Sequence, residues 1–201
     1  LPKYFHQSGR RLQHKMAWSL AGAALLLALG QGVGAAATIT VTTDNPNIAA
    51  DGQCSLIEAI VNANNDAATF PDCSAGSGAD TIVLPANANI TLSAAFPNPY
   101  QYISPVGLPL ITSQITIEGN GATIARQGNA PDFGLIFVKG NSSSPGIPPT
   151  PGDLTLRSLT LTGGSSFGGL SNNGTLSIEN SIISGNSGGG VSSSGTLTIA
   201  A

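Results

Sequence analysis

The pentapeptide Gly174-Thr175-Leu176-Ser177-Ile178 returns 21 residues later as Gly195-Thr196-Leu197-Thr198-Ile199. Gly168-Gly169-Leu170 returns at the same offset as Gly189-Gly190-Val191, and Gly152-Asp153-Leu154-Thr155-Leu156 precedes the first pentapeptide by 22. Two separate features sharing one offset imply that successive segments meet equivalent surroundings. A period of 21–22 residues with three short strands per repeat predicts a solenoid, each turn burying its apolar face against the next. Leucine-rich repeats have similar periods, but their Leu-x-x-Leu-x-Leu-x-x-Asn spacing is absent here, as is the Gly-Gly-x-Gly-x-Asp calcium repeat.

The same texture extends upstream. Residues 38–43, 81–84, 90–92, 115–117, 122–124, 135–138, 154–156, 159–161, 176–178, 182–183 and 197–199 read as strands. Most place aliphatic residues two apart with a small hydroxyl between, the pattern of a half-buried strand. Gly and Asn between them permit the positive-φ corners of a stacked coil. Outward positions are Thr, Ser and Asn, so only 8% of the chain is charged, against about a quarter in ordinary soluble domains. That scarcity excludes a coiled coil. Seven Lys and Arg residues also cannot form a phosphate-neutralising stripe, so no nucleic-acid partner is expected. Abundant Ile, Leu and Val argue against disorder. Segment 141–152 carries four Pro and reads as an exposed excursion.

One helix is predicted, over residues 55–64. Ser55-Leu56-Ile57-Glu58 is a capping box, in which the Ser and Glu side chains each satisfy a free N–H of the first turn. Leu56, Ala59, Ile60 and Ala63 form an apolar stripe, widened by Ile57 and Val61. Such a helix would cover the open first turn of the solenoid. Beside it, Cys54 and Cys73 are expected to pair, contributing roughly 3 kcal/mol by closing the loop between them.

The first residues have a different character. Lys3, Arg10, Arg11 and Lys15 precede an apolar run over 16–30, and Ala35 and Ala37 form an A-x-A site before Thr38. This is the pattern of a secretory signal peptide spanning 1–37. The apolar run is shorter than the ~20 residues needed to cross a bilayer, so no transmembrane helix is expected after cleavage. Export would put both cysteines in an oxidising compartment. It would also leave three cations, Arg126, Lys139 and Arg157, against ten acids, a net charge of −7. Both histidines, His6 and His14, leave with the signal. A His-free chain has no Ser-His-Asp triad, Cys-His pair or His-ligated zinc. No metal or other cofactor is expected.

Cys54-Ser55-Leu56-Ile57-Glu58-Ala59-Ile60, then Asn62-Ala63-Asn64 and Gly78-Ala79-Asp80-Thr81-Ile82-Val83-Leu84-Pro85, resembles the CSLREAI domain. That domain opens many secreted or surface right-handed parallel β-helix proteins of bacteria. Ile115-Thr116-Ile117-Glu118-Gly119-Asn120-Gly121 and Ile183-Ser184-Gly185-Asn186 look like β-helix turns that follow it, and are similar to polymorphic outer-membrane protein repeats. The resemblance covers about residues 38–201 and departs at Ile57, where the family usually has Arg. It implies an all-β, right-handed parallel β-helix with a short N-terminal capping helix, exported, with no established reaction.

The expected organisation is a signal over 1–37, a cap over 38–80 and β-helix turns over 81–201, truncated at the C-terminal side. The expected function is a non-enzymatic, adhesin-like surface or secreted module, or the N-terminal part of a larger exoprotein. Its partners would be a host or matrix surface or a polysaccharide. The alternative is a polysaccharide-active enzyme, a pectate-lyase-like lyase or a glycosidase. Such an enzyme needs two carboxylates facing each other across a groove, or an acidic calcium site with a base nearby. The acids read as scattered singly; only Asp132 and Asp153, with Arg126, Lys139 and Arg157 near in sequence, would converge. Glu58 reads as a helix cap rather than a catalytic acid. Asn172, Asn173, Asn180 and Asn186 read as corner residues, and Tyr100 and Tyr102 as packing over the first turns. A bare last turn at Ala201 would associate end to end, so the 38–201 chain is expected to be oligomeric; a monodisperse monomer in light scattering would refute this.

Overall fold

The computed structural model describes residues 35–98, 100, 103–142, 149–165 and 168–201. Thirteen short strands there form three parallel sheets. The largest runs β1 (Thr38–Thr40), β2 (Asp80–Val83), β4 (Gln114–Glu118), β7 (Asp153–Arg157), β10 (Thr175–Glu179), β13 (Thr196–Ala200). The second holds β3 (Asn89–Leu92), β5 (Thr123–Arg126), β8 (Thr160–Thr162) and β11 (Ile182–Ile183). The third holds β6 (Ile136–Val138), β9 (Leu170–Asn172) and β12 (Val191–Ser193). From β4 onward the chain visits first, second and third sheet in fixed rotation.

Alternation of side chains across each strand explains the core. Ile115 and Ile117, Leu154 and Leu156, and Leu176 and Ile178 point inward, and the register pairs Ile117 with Leu156 and Leu156 with Ile178. Ile90 pairs with Ile124, and Ile124 with Leu161, in the second sheet. Where backbones approach closely the repeat keeps Gly. A Cβ on Gly174 would collide with the Gly152 carbonyl oxygen, and one on Gly195 with that of Gly174.

All eleven segments expected to be strands contain one. Strands β9 (LSN) and β12 (VSS) add to them; each has one aliphatic residue, too few for a periodic signal. In β9 the second inward position is Asn172, 0% exposed. Its Oδ1 accepts the Gly174 N–H at 3.0 Å, and its Nδ2 donates to Ser193 Oγ and to the Thr196 carbonyl at 2.9 and 2.8 Å. A fully bonded amide thus replaces an aliphatic side chain.

The helix, α1 (Leu56–Asn65), packs against β1, β2 and β4. Ser55 Oγ accepts the Glu58 N–H at 3.3 Å, and Glu58 Oε2 accepts the Ser55 N–H at 2.9 Å. Leu56, Ala59, Ile60 and Ala63 are buried; Ile57 is half-buried and packs against the core, widening the stripe as expected, whereas Val61 is half-buried outside the core cluster. Polar Glu58 and Asn62 are buried on the helix as well. Glu58 Oε1 also accepts the Ala49 N–H at 3.1 Å. Asn62 accepts the Phe70 N–H at 2.8 Å and donates to the carbonyls of Phe70 and Ser74 at 2.9 and 3.0 Å. These bonds shape the loop that carries Cys73, which is disulfide-bonded to Cys54 with Cα atoms 4.7 Å apart. The pair suits an oxidising environment, and no described helix is long and apolar enough to cross a membrane. The signal-like residues 1–34, Tyr102 and half of the Pro-rich segment, 143–148, lie outside the described residues.

Leu156 is 0% exposed at the centre of the first sheet. Leu156→Ala is expected to cost about 2–5 kcal/mol, read as a lowered urea midpoint with an unchanged slope.

Candidate functional site

Register creates one charge cluster that single-strand patterns do not reveal. Glu118 pairs with Arg157, and Arg157 with Glu179, across β4, β7 and β10. Arg157 Nη1 donates to Glu118 Oε1 and its Nε to Glu179 Oε2, both at 2.8 Å. Those hydrogen bonds, to Glu118 first and then Glu179, raise the guanidinium pKa above its ordinary value. Strands in a sheet are spaced about 4.8 Å apart, so the two glutamates stand about two spacings apart with the guanidinium between them. The expectation of acids scattered singly is therefore corrected for this pair. The signal lay in the sequence: each member directly follows an aliphatic–hydroxyl–aliphatic triplet, at Ile115–Ile117, Leu154–Leu156 and Leu176–Ile178.

The cations expected to converge beside Asp153 lie apart. Asp153 opens β7, at the end of the strand opposite Arg157, in register with Gln114 and Thr175. Arg126 ends β5 in the second sheet, where Nε donates to the Gly163 carbonyl at 2.8 Å and Nη1 to that of Ala130 at 2.6 Å. Its guanidinium lies 5.8 Å from the Phe133 ring centre. Lys139 follows β6 of the third sheet and is 3% exposed; Nζ donates to the carbonyls of Gly140 and Thr150 at 2.8 Å. Burial pushes its pKa down. Three cations near in sequence are separated because the chain changes sheet between them.

Lys139 opens a different site. Val138, Asn172 and Ser193 share a register in the third sheet, so the residues after them, Lys139, Asn173 and Ser194, stack at one corner. With Phe137, Asn141 and Ser142 they line a cavity of about 480 Å³. Ser194 Oγ donates to Asn173 Oδ1 at 2.9 Å. Amide and hydroxyl groups beside one ring offer donors, acceptors and a stacking face. Asn173 thus lines the cavity, whereas Asn172, Asn180 and Asn186 have the corner and ladder roles expected of them. Asn180 has φ 47°, and Asn186 Oδ1 accepts the Gly164 N–H at 2.8 Å while its Nδ2 reaches Leu161 O. Tyr100 lines a smaller apolar cavity of about 220 Å³, beside Val61 of α1 and Leu108.

No cluster of three or more His, Cys, Asp or Glu able to hold a metal occurs among the described residues. Comparison with family models, curated proteins and solved structures finds no match.

Arg157→Gln leaves Glu118 and Glu179 facing each other without a cation. The variant is expected to melt at lower temperature than the parent, with the difference shrinking in 1 M salt as screening weakens the repulsion; a salt-independent loss would assign Arg157 a packing role instead.

Proposed function

We propose that the chain is a right-handed parallel β-helix serving as an exported, non-enzymatic surface or secreted module that binds a polysaccharide or matrix surface. The fixed rotation of strands through three parallel sheets, with the first-sheet partners of the last turns 21–22 residues apart, supports the β-helix. Right-handedness follows from the strong preference of parallel crossover connections. Helix α1 would cap the first turn, after cleavage of a 1–37 signal; the disulfide supports passage through an oxidising compartment.

The observation that carries the non-enzymatic reading is Arg157 between the two carboxylates. Hydrolysis by paired carboxyls requires sugar or water to enter that space, and here a guanidinium hydrogen-bonded to both fills it. The same pair is also the one feature that favours a polysaccharide-active enzyme, were Arg157 to swing away. Binding belongs to the third-sheet corner, where Phe137 offers a ring and Asn173 and Ser194 offer polar groups.

Affinity electrophoresis through gels cast with acidic polysaccharides tests the module. Retardation is expected, weakened severalfold by Phe137→Ala, with no unsaturated or reducing ends released on long incubation. Release of such ends, abolished by Glu118→Gln or Glu179→Gln, would replace the module with the enzyme.

A further inference from the structure

Asp80, the first residue of β2, is 1% exposed. Its Oδ1 accepts the N–H groups of Ser77 and Ala37 at 2.9 and 3.1 Å. Its Oδ2 is equally buried and has no hydrogen-bond partner. Burial, and secondarily the charge of Asp66, push its pKa up, against the lowering effect of those two N–H groups. A buried carboxylate normally has a cation or a full set of donors. The three described side-chain cations are committed elsewhere: Arg126 and Lys139 to carbonyls, Arg157 to Glu118 and Glu179.

The group beside Asp80 is the backbone nitrogen of Ala37, whose single proton is shared between Asp80 Oδ1 at 3.1 Å and the Ser77 carbonyl at 3.2 Å. Upstream, Ala35 and Ala36 are exposed. Gly34 and Ala36 put small residues at the third and first positions before Ala37, as a leader peptidase requires.

We propose that the mature chain begins at Ala37 and that its new α-ammonium group pairs with the Asp80 carboxylate. This rests on the export reading and moves the cleavage point one residue upstream of the Ala37–Thr38 bond. A leader peptidase hydrolyses the Ala36–Ala37 bond. Water gives hydroxyl to the Ala36 carbonyl carbon and a proton to the Ala37 nitrogen, which takes a further proton from solvent. An ammonium carries three protons where the amide carried one, enough for Asp80 Oδ1, the Ser77 carbonyl and the vacant Oδ2. Cleavage before Thr38 would instead delete the Ala37 N–H and also the Ala37 carbonyl, which accepts the Thr81 N–H at 2.8 Å. That would leave Asp80 poorer in donors and β1 without its first link to β2. Processing at Ala37 completes the end of the edge strand; processing at Thr38 dismantles it.

The test uses the full chain, expressed with its own leader in an exporting host. Intact mass should give a chain starting at Ala37. The pH dependence of α-amine acylation on that chain should place its titration at least one unit above the ordinary value of about 7.7–8.0. Asp80→Asn should return it to that range, and the wild-type titration decides the matter if the variant does not fold. A different first residue, or an ordinary α-amine titration, overturns the pairing and leaves the export reading intact. An exported protein that retains residues 1–36, or a chain that is not exported, overturns the export reading and the pairing with it.

Discussion

Parallel pairing of like segments in register is the constraint on which the rest of this structure depends. Leu154 lies beside Leu176, and Leu176 beside Leu197, because the backbone hydrogen bonds of β7, β10 and β13 align like residues, which puts the aliphatic pairs of β7 and β10 inside. A slip of one residue would turn the core-facing side chains outward. The same alignment puts Gly152, Gly174 and Gly195 one above another, where any Cβ would meet a carbonyl oxygen. Repetition in the sequence is thus a record of equivalent neighbours.

Register also decides where charge and polarity gather. An outward residue on one strand meets its equivalents on the two flanking strands, so Glu118, Arg157 and Glu179 become one cluster although 39 and 22 residues separate them. Lys139, Asn173 and Ser194 line one cavity for the same reason. Chains that change sheet every few residues do the opposite to sequence neighbours. Arg126, Lys139 and Arg157 end on three different sheets, and a cluster read from their proximity in sequence does not form.

Where the sequence pattern misleads, a polar group has been buried with its partners. Glu58 and Asn62 occupy the inner face of α1, and Asn172 an inner position of β9, each with its oxygens and nitrogens matched to backbone groups. Periodicity counts aliphatic residues and cannot see that a matched amide or carboxylate is also admissible inside. Asp80 is the incomplete case, one oxygen bonded twice and the other vacant, and so the place where the fold asks for a further donor.

The sequence by itself determined eleven of the thirteen strands, the capped helix at Ser55 and Glu58 and the cysteine pair, because these depend on local periodicity, on groups three residues apart, or on two thiols with no other candidate. It also determined that few charged groups exist to do chemistry. Only the tertiary structure decided which of those groups meet. The Arg157 bridge, the Lys139 corner and the approach of Ala37 to Asp80 depend on which strand lies beside which, and that is a property of register across 21 to 43 residues of chain. Local physics chooses the elements; long-range pairing chooses their neighbours, and the chemistry belongs to the neighbours.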